Sequence, residues 1–201
     1  MADKSFKLIA ITPESANPDD ERQRVLAIVD AGFTYVHLRK LAFQADDARR
    51  WLDAMPPHVV KRIKLHSHFS LAKEYPVAGL HLNSRNPEPP ADTHNLKLSK
   101  SCHSLDELDE CRAYEYATLS PIFQSISKQG YHGRFNLNEL KLSLTGPSGH
   151  DNVVALGGVT PRRLRPIAAA GFAGAAFLGY LFNRENINNA LKAILEETKS
   201  I

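Results

Sequence analysis

The chain has 201 residues, 25 basic against 22 acidic side chains, and a net charge of +3 with histidine neutral. So small a surplus excludes nucleic acid or an anionic membrane as the main partner, and any anion site must be local. No apolar run approaches the roughly 18 residues of a membrane span, and residues 1–15 lack the apolar stretch of a secretory leader, which predicts a cytoplasmic protein. Cys102 and Cys111 have neither CxxC spacing nor a paired framework, so they read as reduced structural thiols.

Residues 6–12 (FKLIAIT) form the first strand pattern, and 22–31 the first helix, with Val25, Leu26, Ile28 and Val29 on one face before Gly32 stops it. A strand at 34–39 leads to a helix at 44–54, which Pro56-Pro57 ends. The third unit pairs a strand at 62–66 with a short helix at 69–75. Strand four, at 79–82, runs into a proline-rich loop over 83–95 that leaves no room for a regular helix. Strand five spans 96–99, and Ser104 with Glu107 makes a capping box for a helix at 105–111. Strand six spans 116–119, followed by a long polar loop over 120–135 and a helix over 136–144. Strand seven begins at Val153, within VVALGGVTP, and its helix covers 161–170. Strand eight covers 174–178, and the last helix 187–197.

Eight strand-then-helix units predict parallel pairing with right-handed crossovers, and hence an α/β fold. They close naturally as a (β/α)8 TIM barrel, a single domain over residues 1–201 with a short fourth helical unit. No GxGxxG follows strand one, which argues against an open doubly wound sheet.

Active sites of such barrels lie at the C-terminal strand ends, so residues scattered in sequence converge there. Gly157-Gly158 after strand seven allow a backbone to approach an anion closely, although the pair alone also fits an unliganded turn. Arg39 offers a planar fork and Lys128 a mobile charge, both suited to phosphate or diphosphate. Ser125 and Ser127 add hydroxyls in a loop that would surround an anion, or form a polar surface. His37, His66, His81 and His103 fall at or near strand ends, where imidazole can exchange protons near neutral pH. Their spacings lack the usual zinc pattern, so no metal ligand is expected among them. His81, between Leu80 and Leu82, reads as a hydrogen-bonded wall position.

HLRK at His37, AGLHL at Ala78, SCHSLDE at Ser101, SPIFQSISKQG at Ser120, GR at Gly133, ALGGVTPRRL at Ala155 and AGFAGAAFLGYLF at Ala170 follow one another in order. Together they resemble the thiamine phosphate synthase and TenI superfamily, over nearly the whole chain. The resemblance implies a transferase barrel of thiamine biosynthesis: hydroxymethylpyrimidine diphosphate, bound with magnesium, loses pyrophosphate, and the nitrogen of thiazole phosphate captures the pyrimidine cation. By position it assigns Ser125, Ser127, Gly158 and the backbone around Leu178 and Gly179 to the thiazole-phosphate cradle. Arg39, Ser101 and Lys128 correspond to diphosphate ligands.

The pattern's Asn-Asp pair after strand three is His66-Ser67 here, and its Asp after strand four is Asn86, so both magnesium carboxylates are missing. Its Gln is His37, as in TenI-like proteins, and its following Lys falls on Leu41, with Lys40 one position early. TenI-like tautomerases place a catalytic His after strand six, where this chain has Pro121, so proton transfer would fall to His37, His66 or His103. Three readings result: coupling of thiazole phosphate to the pyrimidine, thiazole tautomerisation, or non-catalytic binding of thiazole or thiamine phosphate. The small phosphorylated partner is common to all three, and a homo-oligomer is left open.

Overall fold

In the computed structural model, eight strands of three to six residues pair in parallel and in sequence order, β1 to β8, and β8 closes on β1. Described are residues 5–15, 17–93, 96–123, 135–147 and 149–201. The strands are β1 (Lys7–Ile11), β2 (Tyr35–Leu38), β3 (Ile63–Leu65), β4 (Gly79–Leu82), β5 (Lys97–Cys102), β6 (Tyr116–Leu119), β7 (Val153–Leu156) and β8 (Gly174–Phe177). This is the expected (β/α)8 barrel, with helices on its outer face.

Helix α1 (Pro18–Asp30) begins four residues before the expected start at residue 22. The Asn17 side chain accepts from the backbone N–H of Asp19 and Asp20, Pro18 supplies a preset φ, and three acidic residues suit the positive end of the dipole. Helix α2 (Ala45–Asp53) is followed directly by a single turn, α3 (Pro57–Val60), so Pro57 starts a helix as well as ending one. The third connection is 3-10 helix over Phe69–Lys73. The fourth has no helix among its described residues, as the prolines require. Helix α4 (Asp106–Asp109) is one turn with Leu105 at its N-cap; the Glu107 N–H donates to Ser104 Oγ, but the Glu107 carboxylate accepts from the His103 N–H and the Ser104 hydroxyl, so only half of the expected capping box forms. Helix α5 (Leu137–Thr145) is capped by Asn136.

After β7, a 3-10 turn over Pro161–Arg163 precedes α6 (Leu164–Ala169), where one continuous helix was expected. After β8 comes a one-turn helix absent from the sequence reading, α7 (Gly179–Phe182), and then α8 (Ile187–Thr198). Strand β5 runs three residues further than expected, which places Ser101 and Cys102 on the strand itself.

Side chains alternate between two environments. Leu8, Ala10, Val36, Leu38, Ile63 and Leu65 face the helices and join the main core. Ile9, Ile11, Tyr35, Tyr116, Val154 and Ala176 form a separate cluster inside the barrel. Cys102 and Cys111 lie in the outer core with their sulfurs 3.5 Å apart as free thiols, in keeping with a structural role.

Candidate functional site

Strand alternation sends an uncommon set of side chains into the barrel. Near the floor, Lys64 from β3 pairs with Glu115 (2.8 Å), and its ammonium lies over the rings of Tyr35 and Tyr116. The Tyr35 hydroxyl donates to Glu115 (2.5 Å). Burial pushes the Lys64 pKa down against the pull of Glu115, and the Tyr116 pKa well up. Burial also opposes ionisation of Glu115, but the Lys64 ammonium and its hydrogen bond hold the carboxyl below its ordinary value.

Above this pair sit three imidazoles. His37 Nε2 shares a 2.6 Å hydrogen bond with the Tyr116 hydroxyl, and His37 Nδ1 shares one of 2.9 Å with His66 Nε2. His81 is held by Ser99 (2.9 Å) and Ser101 (2.8 Å), with its ring stacked on His66 at 4.4 Å. Desolvation is the main reason all three stay neutral. The neighbouring rings and Lys64 depress His37 and His81 further, and Arg39 contributes at His66, which titrates at about 3. The Asn83 and Asn86 amides both donate to the His66 carbonyl, at 2.9 and 3.0 Å, and so fix the end of β3.

At the C-terminal mouth this column opens into a cavity of 370 Å³, whose lining includes Arg39, His66, Arg85, Ser101, His103 and Leu178. A larger cavity of 760 Å³ lies at the opposite end, beside Lys7, Asn152 and Ala173. Barrel chemistry is built at the C-terminal end, which selects the smaller one. Arg39 Nη1 stands 3.6 Å from Glu14 Oε2, and the Arg39 backbone N–H donates to Thr12. His103 is exposed at the rim against Ser120, well separated in role from the buried pair of His37 and His66.

Gly157 and Gly158 have φ of +96° and +64°, which a side chain would strain. A Cβ on Gly157 would also meet Pro121 Cα at 2.9 Å. Leu178 caps α7 and Gly179 is its first residue. Ser125, Ser127 and Lys128 lie outside the described residues.

The fold therefore brings Arg39, His66, Ser101, His103 and Leu178 around one cavity, with His37 beneath it and the glycine turns on the β7 and β8 side. Sequence reasoning missed Lys64, Tyr116 and Arg85. A lysine at the centre of the strand expected over 62–66 was the available signal for the first. Spacing hid the histidine cluster because each ring comes from a different strand.

Magnesium prefers carboxylate and phosphate oxygens in near-octahedral array. Among the described residues, no carboxylate lines the mouth, and the Asn86 amide is committed to the His66 carbonyl. Lys40, the nearest match to the pattern's lysine, is buried against Glu21 and the Pro13 carbonyl, while Leu41 takes its place at the cavity. The residues present do not fit a protein-held magnesium ion.

A closed barrel with a glycine turn after β7 and a short extra helix after β8 is the arrangement with which many (β/α)8 enzymes hold phosphorylated small molecules. Residues 8–181 match the family model described as thiamine monophosphate synthase, and the chain belongs to that family of thiamine-biosynthesis transferases. Thiamine phosphate pyrophosphorylase from Bacteroides thetaiotaomicron is 31% identical with a TM-score of 0.81, over 97% of this chain and 96% of that one. The thiamine-phosphate synthase of Bordetella bronchiseptica is 29% identical over 202 aligned residues, 92% of each chain. That of Latilactobacillus sakei is 31% identical over 137 residues, which span 65% of this chain and 60% of the relative.

Proposed function

We propose that this chain joins thiazole phosphate to hydroxymethylpyrimidine diphosphate at the barrel mouth, releasing pyrophosphate, as a single cytoplasmic domain of residues 1–201. The observation that carries this reading is a mouth supplied with cations and hydroxyls and, among the described residues, no lining carboxylate. Arg39, Ser101 and Lys128 hold the diphosphate, and Arg85 and His103 add positive or donor character at the rim. The bond from the pyrimidine methylene to the diphosphate oxygen breaks, and its electron pair leaves with pyrophosphate. The thiazole nitrogen then supplies the pair for the new carbon–nitrogen bond. Oriented guanidinium donors stabilise charge as it develops on the leaving group. Gly157, Gly158, Leu178 and Gly179, with Ser125 and Ser127, hold the thiazole phosphate.

A second reading, thiazole tautomerisation, is favoured by the hydrogen-bonded pair of His37 and His66. His66 reaches the cavity while its Nε2 communicates with a buried tyrosine through His37. The test is turnover of the purified protein with both substrates, run beside isomerisation of the thiazole carboxylate phosphate. Thiamine phosphate with one equivalent of pyrophosphate is the expected product. Isomerisation without coupling would replace the first reading by the second, and saturable thiazole-phosphate binding without either would leave a non-catalytic binder.

A further inference from the structure

We propose that His37, His66 and His81 form a three-imidazole site for a divalent transition metal of the zinc class, at the floor of the cavity. One nitrogen from each ring lies within 4.8 Å of the other two, and all three residues are buried. Zinc–nitrogen bonds of about 2.0–2.1 Å in a tetrahedral site put ligand nitrogens about 3.4 Å apart. The ring nitrogens of His37 and His66 are closer than this, at 2.9 Å, and the outer limit of the trio is wider. Small ring rotations therefore open the closest pair and draw in the third.

Imidazole must be neutral to bind a metal, and proton competition normally weakens such sites as pH falls. Here burial already keeps the three rings unprotonated at neutral pH. The other nitrogen of a metal-binding imidazole usually donates to a fixed partner, which sets the tautomer. The Tyr116 hydroxyl holds His37 Nε2, and Ser99 Oγ holds His81 Nδ1, while the Ser101 hydroxyl now on His81 Nε2 (2.8 Å) must turn away for that nitrogen to bind. Among the described residues, His66 Nδ1 has no partner, and it can carry the ring's proton when Nε2 binds. On ion entry, the proton between His37 Nδ1 and His66 Nε2 is transferred by tautomer exchange to the outer nitrogens, with none lost.

The Lys64 ammonium would repel an ion if it stood alone. It is matched by Glu115 at 2.8 Å and lies against the Tyr116 ring, at 4.9 Å from its centre. Three neutral ligands leave the charge of the ion available to a fourth, anionic ligand or water from the cavity side, near Ser101. This site takes nitrogen-preferring ions and is chemically distinct from a carboxylate site for magnesium.

The experiment is titration of metal-depleted full-length protein with cobalt(II), followed by the visible bands of tetrahedral cobalt and by competition with a chromophoric chelator. The expected result is one ion per chain, with affinity falling at least tenfold in His66→Asn and in His37→Gln. X-ray absorption of the zinc-loaded wild type should show three imidazoles and no sulfur. That spectrum decides the matter even if a variant fails to fold. No stoichiometric uptake, uptake unchanged in both variants, or sulfur scattering from Cys102 and Cys111 would overturn the proposal. None of these readouts depends on turnover, so the metal site and the coupling reaction fail separately.

Discussion

The two halves of the barrel interior are built on different principles. Around β7, β8 and β1 it is filled by Ile9, Ile11, Val154 and Ala176, with Leu156 and Leu178 above them. From β2 to β6 it holds Lys64, His37, His66, His81, Ser99 and Thr118, every one of them buried. Apolar packing needs only volume and shape, whereas each polar group must find a partner or lose its hydration without compensation. The polar half meets most of that demand through the Lys64 to Glu115 pair, the chain from Tyr116 through His37 to His66, and the Ser99 bond to His81, while among the described residues the Thr118 hydroxyl is left without a partner. The histidine column stands in the polar half, and the glycine turns in the loops of the apolar half.

Breaking the polar half should cost most. Lys64→Ala removes one partner of a buried pair and should lower stability by about 3–5 kcal/mol, read from urea unfolding. A loss below 1 kcal/mol would mean that water or another cation already serves Glu115.

The contrast explains what the sequence could reveal. Parallel strands and their helices were readable because apolar runs, glycines and caps act locally: Gly79–Leu82 and Tyr116–Leu119 have the expected bounds, and the helix expected over 136–144 spans Leu137–Thr145 with Asn136 as its cap. Arg39, Ser101 and His103 could be nominated because strand ends share a rim. The histidine trio could not be assembled from spacing, since its contacts depend on the register between β2, β3 and β4. Lys64 falls within the strand expected over 62–66, but only the pairing of β3 shows that it faces inward. The one-turn α7 escaped because four residues show no periodicity.

The trio also gives the polar half a pH signature. In the native state His37, His66 and His81 have pKa values below the unfolded value near 6.5, so the unfolded chain binds more protons as pH falls below it. Their contribution is present above pH 6.5 and is lost as pH falls below it, for His66 between about 6.5 and 3, with a slope of about 1.4 kcal/mol per pH unit for each histidine that titrates. Unfolding measured across this range should show it, and His66→Asn should flatten the slope. Equal slopes in wild type and variant would show that His66 is already solvated.

At the apolar half's mouth, Gly157→Ala forces a Cβ into left-handed backbone against Pro121 and should cost about 1–3 kcal/mol. It should also weaken thiazole-phosphate binding, measured by calorimetry. Unchanged binding would separate the turn from the ligand. The mildest change is Ile9→Val, a single methylene in the apolar cluster, expected to cost about 0.5–1.5 kcal/mol without a pH-dependent component.

The most direct test concerns how the mouth handles the diphosphate. Initial rates of thiamine phosphate formation should be measured as magnesium is titrated from none to saturating, for the wild type and for a Ser67→Asp/Asn86→Asp double variant. If Arg39 and its neighbours replace a carboxylate-held ion, the wild-type rate changes less than about twofold while the double variant is activated by at least tenfold, which is 1.4 kcal/mol of barrier. Tenfold activation of the wild type by magnesium would contradict the account.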